Sequence, residues 1–246
     1  MNIAVACKIV PDDQDVRVEA DHTLDFSKAH DIVSTYDLNA LEAAAQFSQT
    51  CGESKLYVLS VGGKNIDNPK IKKNILARGA DELLMIADDA TSKLDSRATA
   101  AQLAALVKKA EADLILTGDG SADLFARQTG VQLASLLEVP YVSSAISMVQ
   151  RDGKLEVKRL LEKEIETVLV TLPAVISIAP GYAEPRIAGM KDILAAGKKP
   201  SSVESVQADT TASVEEVALK APQQVDRKQN IFEDIDEFSA AVKAAL

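Results

Sequence analysis

The sequence predicts an α/β chain: a Rossmann-like, doubly wound, mainly parallel sheet with an added antiparallel hairpin and a C-terminal arm that ends in a helix. Three observations predict it. Short, almost unbroken apolar runs recur along the chain, stretches of helical spacing separate them, and after Pro140 this alternation gives way to a hairpin pattern. Unbroken apolar runs suit strands covered on both faces, and strands alternating with helices need crossover connections, which make neighbouring strands parallel.

The first run, residues 2–7 (NIAVAC), is apolar but for its leading Asn, and the same signature returns at 55–61, 82–86, 113–117 and 174–178. Helical patterns fall between the earlier runs, at 38–48, 69–77, 96–110 and 123–137. In the third, Ala100, Leu103, Leu106 and Val107 share one face, while Gly79 is placed to close the second. Residues 145–150 and 154–160 flank Arg151-Asp152-Gly153, an Asp-Gly turn signal, and a further strand over 166–172 leads through Pro173 into the last apolar run. These strands are expected as an antiparallel addition at the sheet edge. Residues 200–224 are rich in Ser, Thr, Gln and Pro and read as an extended arm. Over 230–246, Ile231, Ile235, Phe238, Val242 and Leu246 recur at helical spacing, an amphipathic stripe that needs a surface to cover, on this domain or on a partner.

Composition removes several function classes. The 246 residues carry 27 basic and 37 acidic side chains, a net charge of −10, and aromatics make up 4% with no Trp. Such a chain attracts phosphate backbones weakly and has few rings on which bases could stack, so nucleic acid is not expected as a partner. The longest nearly apolar run, 167–180, has 14 residues, against about 20 for a membrane-spanning helix. Lys8, Asp12 and Asp13 follow the start closely, unlike a signal stretch. A cytoplasmic protein without membrane insertion is expected, with Cys7 and Cys51 as reduced thiols at no metal or redox spacing.

In a doubly wound sheet ligands bind outside the carboxyl ends of the strands, so the loops after Cys7, Val61 and Thr117 are informative. The third reads Gly118-Asp119-Gly120-Ser121-Ala122-Asp123 and runs into the helix predicted over 123–137. Its glycines allow close backbone approach and the free amides of a first helical turn favour phosphate or pyrophosphate; equally, Ser121 or Asp123 is an ordinary N-cap. The lysine–hydroxyl ending of a Walker A loop is missing, and no glycine follows Cys7 as a dinucleotide fingerprint requires. Val61-Gly62-Gly63-Lys64 is either a second close-approach loop or a tight turn with a solvated lysine. His22 and His30 lie in a polar segment without ligand spacing and read as surface residues. With neither a nucleophile elbow nor an acid–base constellation in view, any chemistry belongs to a bound cofactor. At a net charge of −10, an anionic ligand must be held by local devices, namely glycine amides and a helix N-terminus at Gly118 to Asp123.

Several stretches together resemble the β subunit of electron transfer flavoproteins, in particular its FixA-like branch. Val5-Ala6-Cys7-Lys8-Ile9-Val10-Pro11-Asp12 resembles the family's first strand and its continuation, and Tyr36-Asp37-Leu38-Asn39-Ala40-Leu41-Glu42-Ala43-Ala44 the entry to its first helix. Many members carry Asn-Pro where this chain has Ser34-Thr35. Arg78-Gly79-Ala80-Asp81 resembles the run before the third strand. Gly118, Asp123, Gln128, Thr129 and Gly130 fall at the spacing of the family's nucleotide loop and helix, and Leu172-Pro173-Ala174-Val175 and Pro185-Arg186 with Met190, Ile193 and Lys198-Lys199 resemble its later segments.

The resemblance implies a nucleotide-binding domain over 1–199 and, over 200–246, an arm and helix contacting an α subunit that carries one FAD. It implies a nucleotide in this chain as well, a second FAD in bifurcating members or AMP in simple carriers; Tyr36-Asp37 and Ile231-Phe232-Glu233-Asp234 favour FAD. Carried over by position, Ala6, Cys7 and Lys8 line the nucleotide from the first strand, Tyr36, Asp37, Leu38 and Asn39 from the first helix, and Val61 and Gly62 from another side. Gly118, Asp119, Gly120, Ser121, Ala122, Asp123, Arg127, Gln128 and Thr129 hold phosphates and ribose. Arg186, Met190 and Ile193 form the partner-recognition region. The implied function is an electron carrier, taking electrons from an acyl-CoA or other dehydrogenase, or from NADH if it bifurcates, to a quinone oxidoreductase, ferredoxin or flavodoxin. Two other classes remain open, a stand-alone adenine-nucleotide-binding protein and a structural subunit without nucleotide.

Overall fold

A computed structural model describes residues 1–223, 225 and 229–245. Gln224, the end of the predicted polar arm, and Leu246, the last position of the predicted stripe, lie outside the described residues.

The strands are β1 (Asn2–Ala6), β2 (Ile9–Pro11), β3 (Arg17–Val18), β4 (Leu24–Asp25), β5 (Asp31–Val33), β6 (Lys55–Gly62), β7 (Glu82–Ala87), β8 (Leu114–Gly118), β9 (Tyr141–Arg151), β10 (Lys154–Leu160), β11 (Ile165–Val170), β12 (Ala174–Ile178) and β13 (Ser201–Glu204). The helices are α1 (Thr35–Ser48), α2 (Pro69–Leu76), α3 (Ser96–Lys109), α4 (Thr129–Leu137), α5 (Met190–Ala196) and α6 (Ile235–Ala245). Among the described residues the main sheet runs β11-β10-β9-β12-β8-β1-β6-β7-β13. The pairs from β9 to β13 are parallel, and β9–β10 and β10–β11 are antiparallel, as the hairpin pattern predicts. Asp152 and Gly153 turn that hairpin with φ of 49° and 77°, the left-handed pair that a tight two-residue connection requires.

The apolar strands read as continuous because they serve two cores. Ile3, Val5, Leu114 and Leu116 point into a cluster with Ala40, Leu41 and Ala44 of α1 and Ile71 and Ile75 of α2, whereas Ala4 and Ile115 point the other way, toward Leu103 and Leu106 of α3 and Leu133 of α4. This is the period of two of a strand buried on both faces. The strand order reverses at β1, which has β6 on one side and β8 on the other. A reversal splays the following connections to opposite faces and opens a crevice at the carboxyl ends of β1 and β8.

Two expectations change. The helix predicted over 123–137 begins at Thr129, and residues 119–128 form an irregular loop in which Phe125 and Arg127 have φ of 48° and 57°. The helix N-terminus expected at Gly118 to Asp123 is therefore not there. Helical propensity in Leu124-Phe125-Ala126 yields to the tertiary contacts of that loop, described below. Second, residues 201–204 of the predicted arm are a strand paired in parallel with β7.

Beyond β13 the arm follows α3. Gln102, fully buried, accepts from the backbone N–H of Gln207 and Ala208 and donates to the Ala208 carbonyl at 2.8 Å. Asp95, the N-cap of α3, also accepts from Ser213 N–H at 2.6 Å and Val214 N–H at 3.1 Å. The arm then reaches the β3–β4 hairpin, where Thr23 bridges Lys220. No described residue of α6 is buried, and Ile231, Ile235, Phe238 and Val242 are exposed. No described helix is long and apolar enough to cross a membrane.

Candidate functional site: the crevice at the ends of β1 and β8

The first turn of α1 closes the crevice from one side. Asp37 is 5% exposed, and its two carboxylate oxygens accept separate backbone hydrogen bonds, one from Lys8 N–H at 2.7 Å and one from Gly118 N–H at 3.1 Å. A single side chain thus ties the ends of the two central strands. Burial pushes the Asp37 carboxyl up to about 7, against the pull of these bonds, the Ser34 hydroxyl and the Lys8 charge. Cys7 is buried beside it, and burial, with the Asp37 charge second, holds its thiol well above the usual range. That thiol is not a nucleophile.

Gly118 is required here by packing. A Cβ on it would stand 2.5 Å from an Asp37 oxygen and 2.9 Å from the Tyr36 carbonyl carbon. At Gly120 a Cβ would stand 2.3 Å from the Phe125 ring. The close approaches these glycines allow are therefore to the chain's own groups. The loop between them and α4 is cross-linked in several ways. The Asp119 carboxylate accepts from the hydroxyls of Ser144 and Ser177, each at 2.9 Å, and pairs with Arg127 at 2.7 Å. Lys8 pairs with Asp123, which also accepts from the Ser121 hydroxyl at 2.5 Å. Burial raises the Asp123 carboxyl, but the Lys8 and Ser121 bonds outweigh it and leave the group below its ordinary value.

Beneath the loop, α4 starts without a side-chain cap: Gln128 makes no capping bond, and its Oε1 instead accepts from Ser96 at 3.0 Å. The first-turn amides of α4 are thus left for another acceptor. The Thr117 hydroxyl is buried with no hydrogen-bond partner among the described residues, and it lies 3.0 Å from where a Cβ of Gly130 would stand. An orphaned hydroxyl, a glycine and a free helix start suit an oxygen-rich anionic group, and Lys8 and Arg127 are cations within the same loop system. These residues fit the phosphate end of a nucleotide.

Residues 22–219 match the family model of the electron transfer flavoprotein domain. The chain belongs to the electron transfer flavoprotein family. Members of this family bind FAD or AMP, which agrees with a crevice suited to phosphate.

The residues expected to line a nucleotide fall mostly together in this electron transfer flavoprotein. Ala6 ends β1 and Cys7 and Lys8 follow it; Tyr36, Asp37, Leu38 and Asn39 lie at the start of α1; Gly118 to Asp123, Arg127, Gln128 and Thr129 run from β8 to α4. Val61 and Gly62 end β6, one strand away, and the Gly62 carbonyl accepts from Asp88 N–H at 3.0 Å and the Thr91 hydroxyl at 2.6 Å. Arg186 stands apart from Met190 in role: its guanidinium donates to both oxygens of buried Glu42, at 2.6 and 3.0 Å. Met190 is 74% exposed on α5, with Ile187 and Leu194 also exposed and Ile193 less so. His30 is exposed and pairs with Asp15, while His22 is half-buried. No group of three His, Cys, Asp or Glu among the described residues could hold a metal.

Sequence reading missed Ser34, Ser144, Ser177, Phe125 and Glu42. Ser144 and Ser177 act through a register shift, in which Ile176 faces Val142 but Ile178 faces Ala145. The extra residue is a β-bulge, which turns Ser144, φ 54°, toward Asp119.

Proposed function

We propose that this chain is the β subunit of an electron transfer flavoprotein of the FixA-like branch, paired with an FAD-carrying α subunit, and that it holds a second nucleotide at the ends of β1 and β8. The observation that carries the reading is the orphaned Thr117 hydroxyl under the uncapped start of α4, at the point where the strand order reverses. Lys8 and the first-turn amides of α4 would take the phosphates, with Arg127 beside them, while Tyr36, in the first turn of α1, is placed for a planar ring. Asp123 and Asp119 now occupy both cations, so a phosphate competes with carboxylates of the chain itself.

Bound flavin supplies the electron chemistry. The chain supplies binding, orientation and the local field, and no proton transfer by its own residues is needed. FAD is the favoured second nucleotide, with AMP as the alternative. The arm from residue 200 onward and the exposed apolar stripe of α6 support a partner subunit, because such a stripe left in water costs stability that an interface would recover. Exposed Met190, with Ile187 and Leu194, would meet a dehydrogenase, a flexible side chain that adapts to more than one pocket. With FAD as the second nucleotide the chain would serve an NADH-oxidising, bifurcating complex, and with AMP a simple carrier; a cytoplasmic location completes the reading.

The deciding experiment is co-purification of the full chain with its partner, denaturation, and a count of released FAD and AMP. Two FAD per complex supports bifurcation, one FAD with one AMP supports the simple carrier, and a colourless monomer without nucleotide overturns the proposal.

A further inference from the structure

The loop between β8 and α4 is shut by a side chain that phosphate binding does not require. The Phe125 ring lies in the space that a side chain at Gly120 would fill, 2.3 and 2.6 Å from the position of a Cβ there. Its centroid is 4.9 Å from that of Tyr36, with a 43° tilt, and the Arg127 guanidinium is 5.7 Å away. Yet Phe125 is 43% exposed, belongs to neither core cluster, and has as its neighbour Leu124, which is also exposed. Phe125 and Arg127 both adopt left-handed φ, which an aromatic or long L-residue avoids. Such conformations persist where surroundings impose them. Here the surroundings are Tyr36, Gly120 and the Arg127 guanidinium around the ring, the turn bond from Phe125 N–H to the Ser121 carbonyl at 3.1 Å, and the bonds from Arg127 to Asp119 and Ser144. They hold a half-exposed, strained aromatic residue in front of the Tyr36 ring.

We propose that Phe125 is a gate: seated between Gly120 and Tyr36 it closes the crevice, and it leaves that seat when a nucleotide with a planar ring enters. This rests on the nucleotide reading above. Gly120 is then the residue that permits closure, and Tyr36 the ring for which Phe125 and the ligand compete. A ligand that must wait for the gate binds slowly, and its apparent affinity is reduced by the fraction of the chain that is closed.

The test uses the full chain stripped of nucleotide. The chain has no Trp, so the F125W variant, labelled with 5-fluorotryptophan, gives one fluorine resonance whose D₂O/H₂O isotope shift reports solvent exposure. AMP and FAD are added separately, and calorimetry on the unmodified chain records whether each binds. The expected result is an isotope shift that at least doubles with the nucleotide that binds. In parallel, G120A should raise the association rate of that nucleotide at least threefold and leave its dissociation rate unchanged, because its methyl group denies Phe125 the seat it holds only in the unliganded chain. Binding by calorimetry with an unchanged isotope shift and an unchanged G120A association rate overturns the gate and leaves the nucleotide reading intact. No binding of either nucleotide overturns the nucleotide reading, and the gate with it.

Discussion

Asp37 accepts a hydrogen bond from the backbone N–H of Lys8 at 2.7 Å, and its second oxygen reaches Gly118 on the neighbouring strand. One carboxylate therefore sets the distance between the two strand ends that form the crevice. Asp37→Asn keeps one acceptor and turns an amide donor toward the other N–H. A loss of about 1–3 kcal/mol is expected in urea denaturation at pH 4 to 5, the usual cost of a buried donor left unpaired.

The same carboxylate makes stability depend on pH. Its folded value, about 7, lies above its unfolded value of 3.8, so the folded state binds the extra proton between them. The stabilisation from keeping Asp37 neutral is full below the unfolded value and is lost as pH rises through about 7. Compared with Asp37→Asn, the wild type should lose stability from pH 4 to pH 8, by at most about 4 kcal/mol. Parallel denaturation curves for the two proteins across that range, with no change in their difference, would refute this.

Gly118→Ala places a methyl group 2.5 Å from the Asp37 carboxylate. Neither the strand end nor the first turn of α1 can retreat without breaking the bonds just described. The expected cost is about 1–3 kcal/mol from overpacking, accompanied by weaker retention of nucleotide during gel filtration.

Arg186 and buried Glu42 fix the segment that leads into α5. Burial alone would raise the Glu42 carboxyl, but hydrogen bonds from Arg186 and Gln46 bring it below its ordinary value. Arg186→Ala leaves that buried carboxylate without its counter-charge, with Gln46 as its remaining side-chain donor, and should destabilise by about 3 kcal/mol. Hydrogen exchange across residues 186–197 should accelerate at the same time. Met190→Glu, at an exposed side chain, should leave the melting temperature within about 2 °C, as surface changes usually do, and, on the proposed function, should slow electron transfer from a donor dehydrogenase.

Gln102→Ala removes three hydrogen bonds that hold residues 207 and 208 against α3. Limited proteolysis should then cut within 205–214 several-fold faster than in the wild type, with the cleavage rate of the 1–199 region unchanged.

The sequence alone determined the alternation of strands and helices, the hairpin at Asp152-Gly153, and the residues that gather at the ends of β1 and β8. Each depends on local periodicity or turn chemistry, which neighbouring residues carry. It did not determine the start of α4, because helical spacing continues through Leu124-Phe125-Ala126 while contacts to Tyr36, Asp119 and Gly120, distant or across the loop, keep those residues out of a helix. Nor could it show that Gly118 and Gly120 make room for Asp37 and Phe125, or that Glu42 and Arg186, 144 positions apart, form one ion pair. Those facts depend on which side chains meet across the fold, and only the tertiary structure brings them within reach.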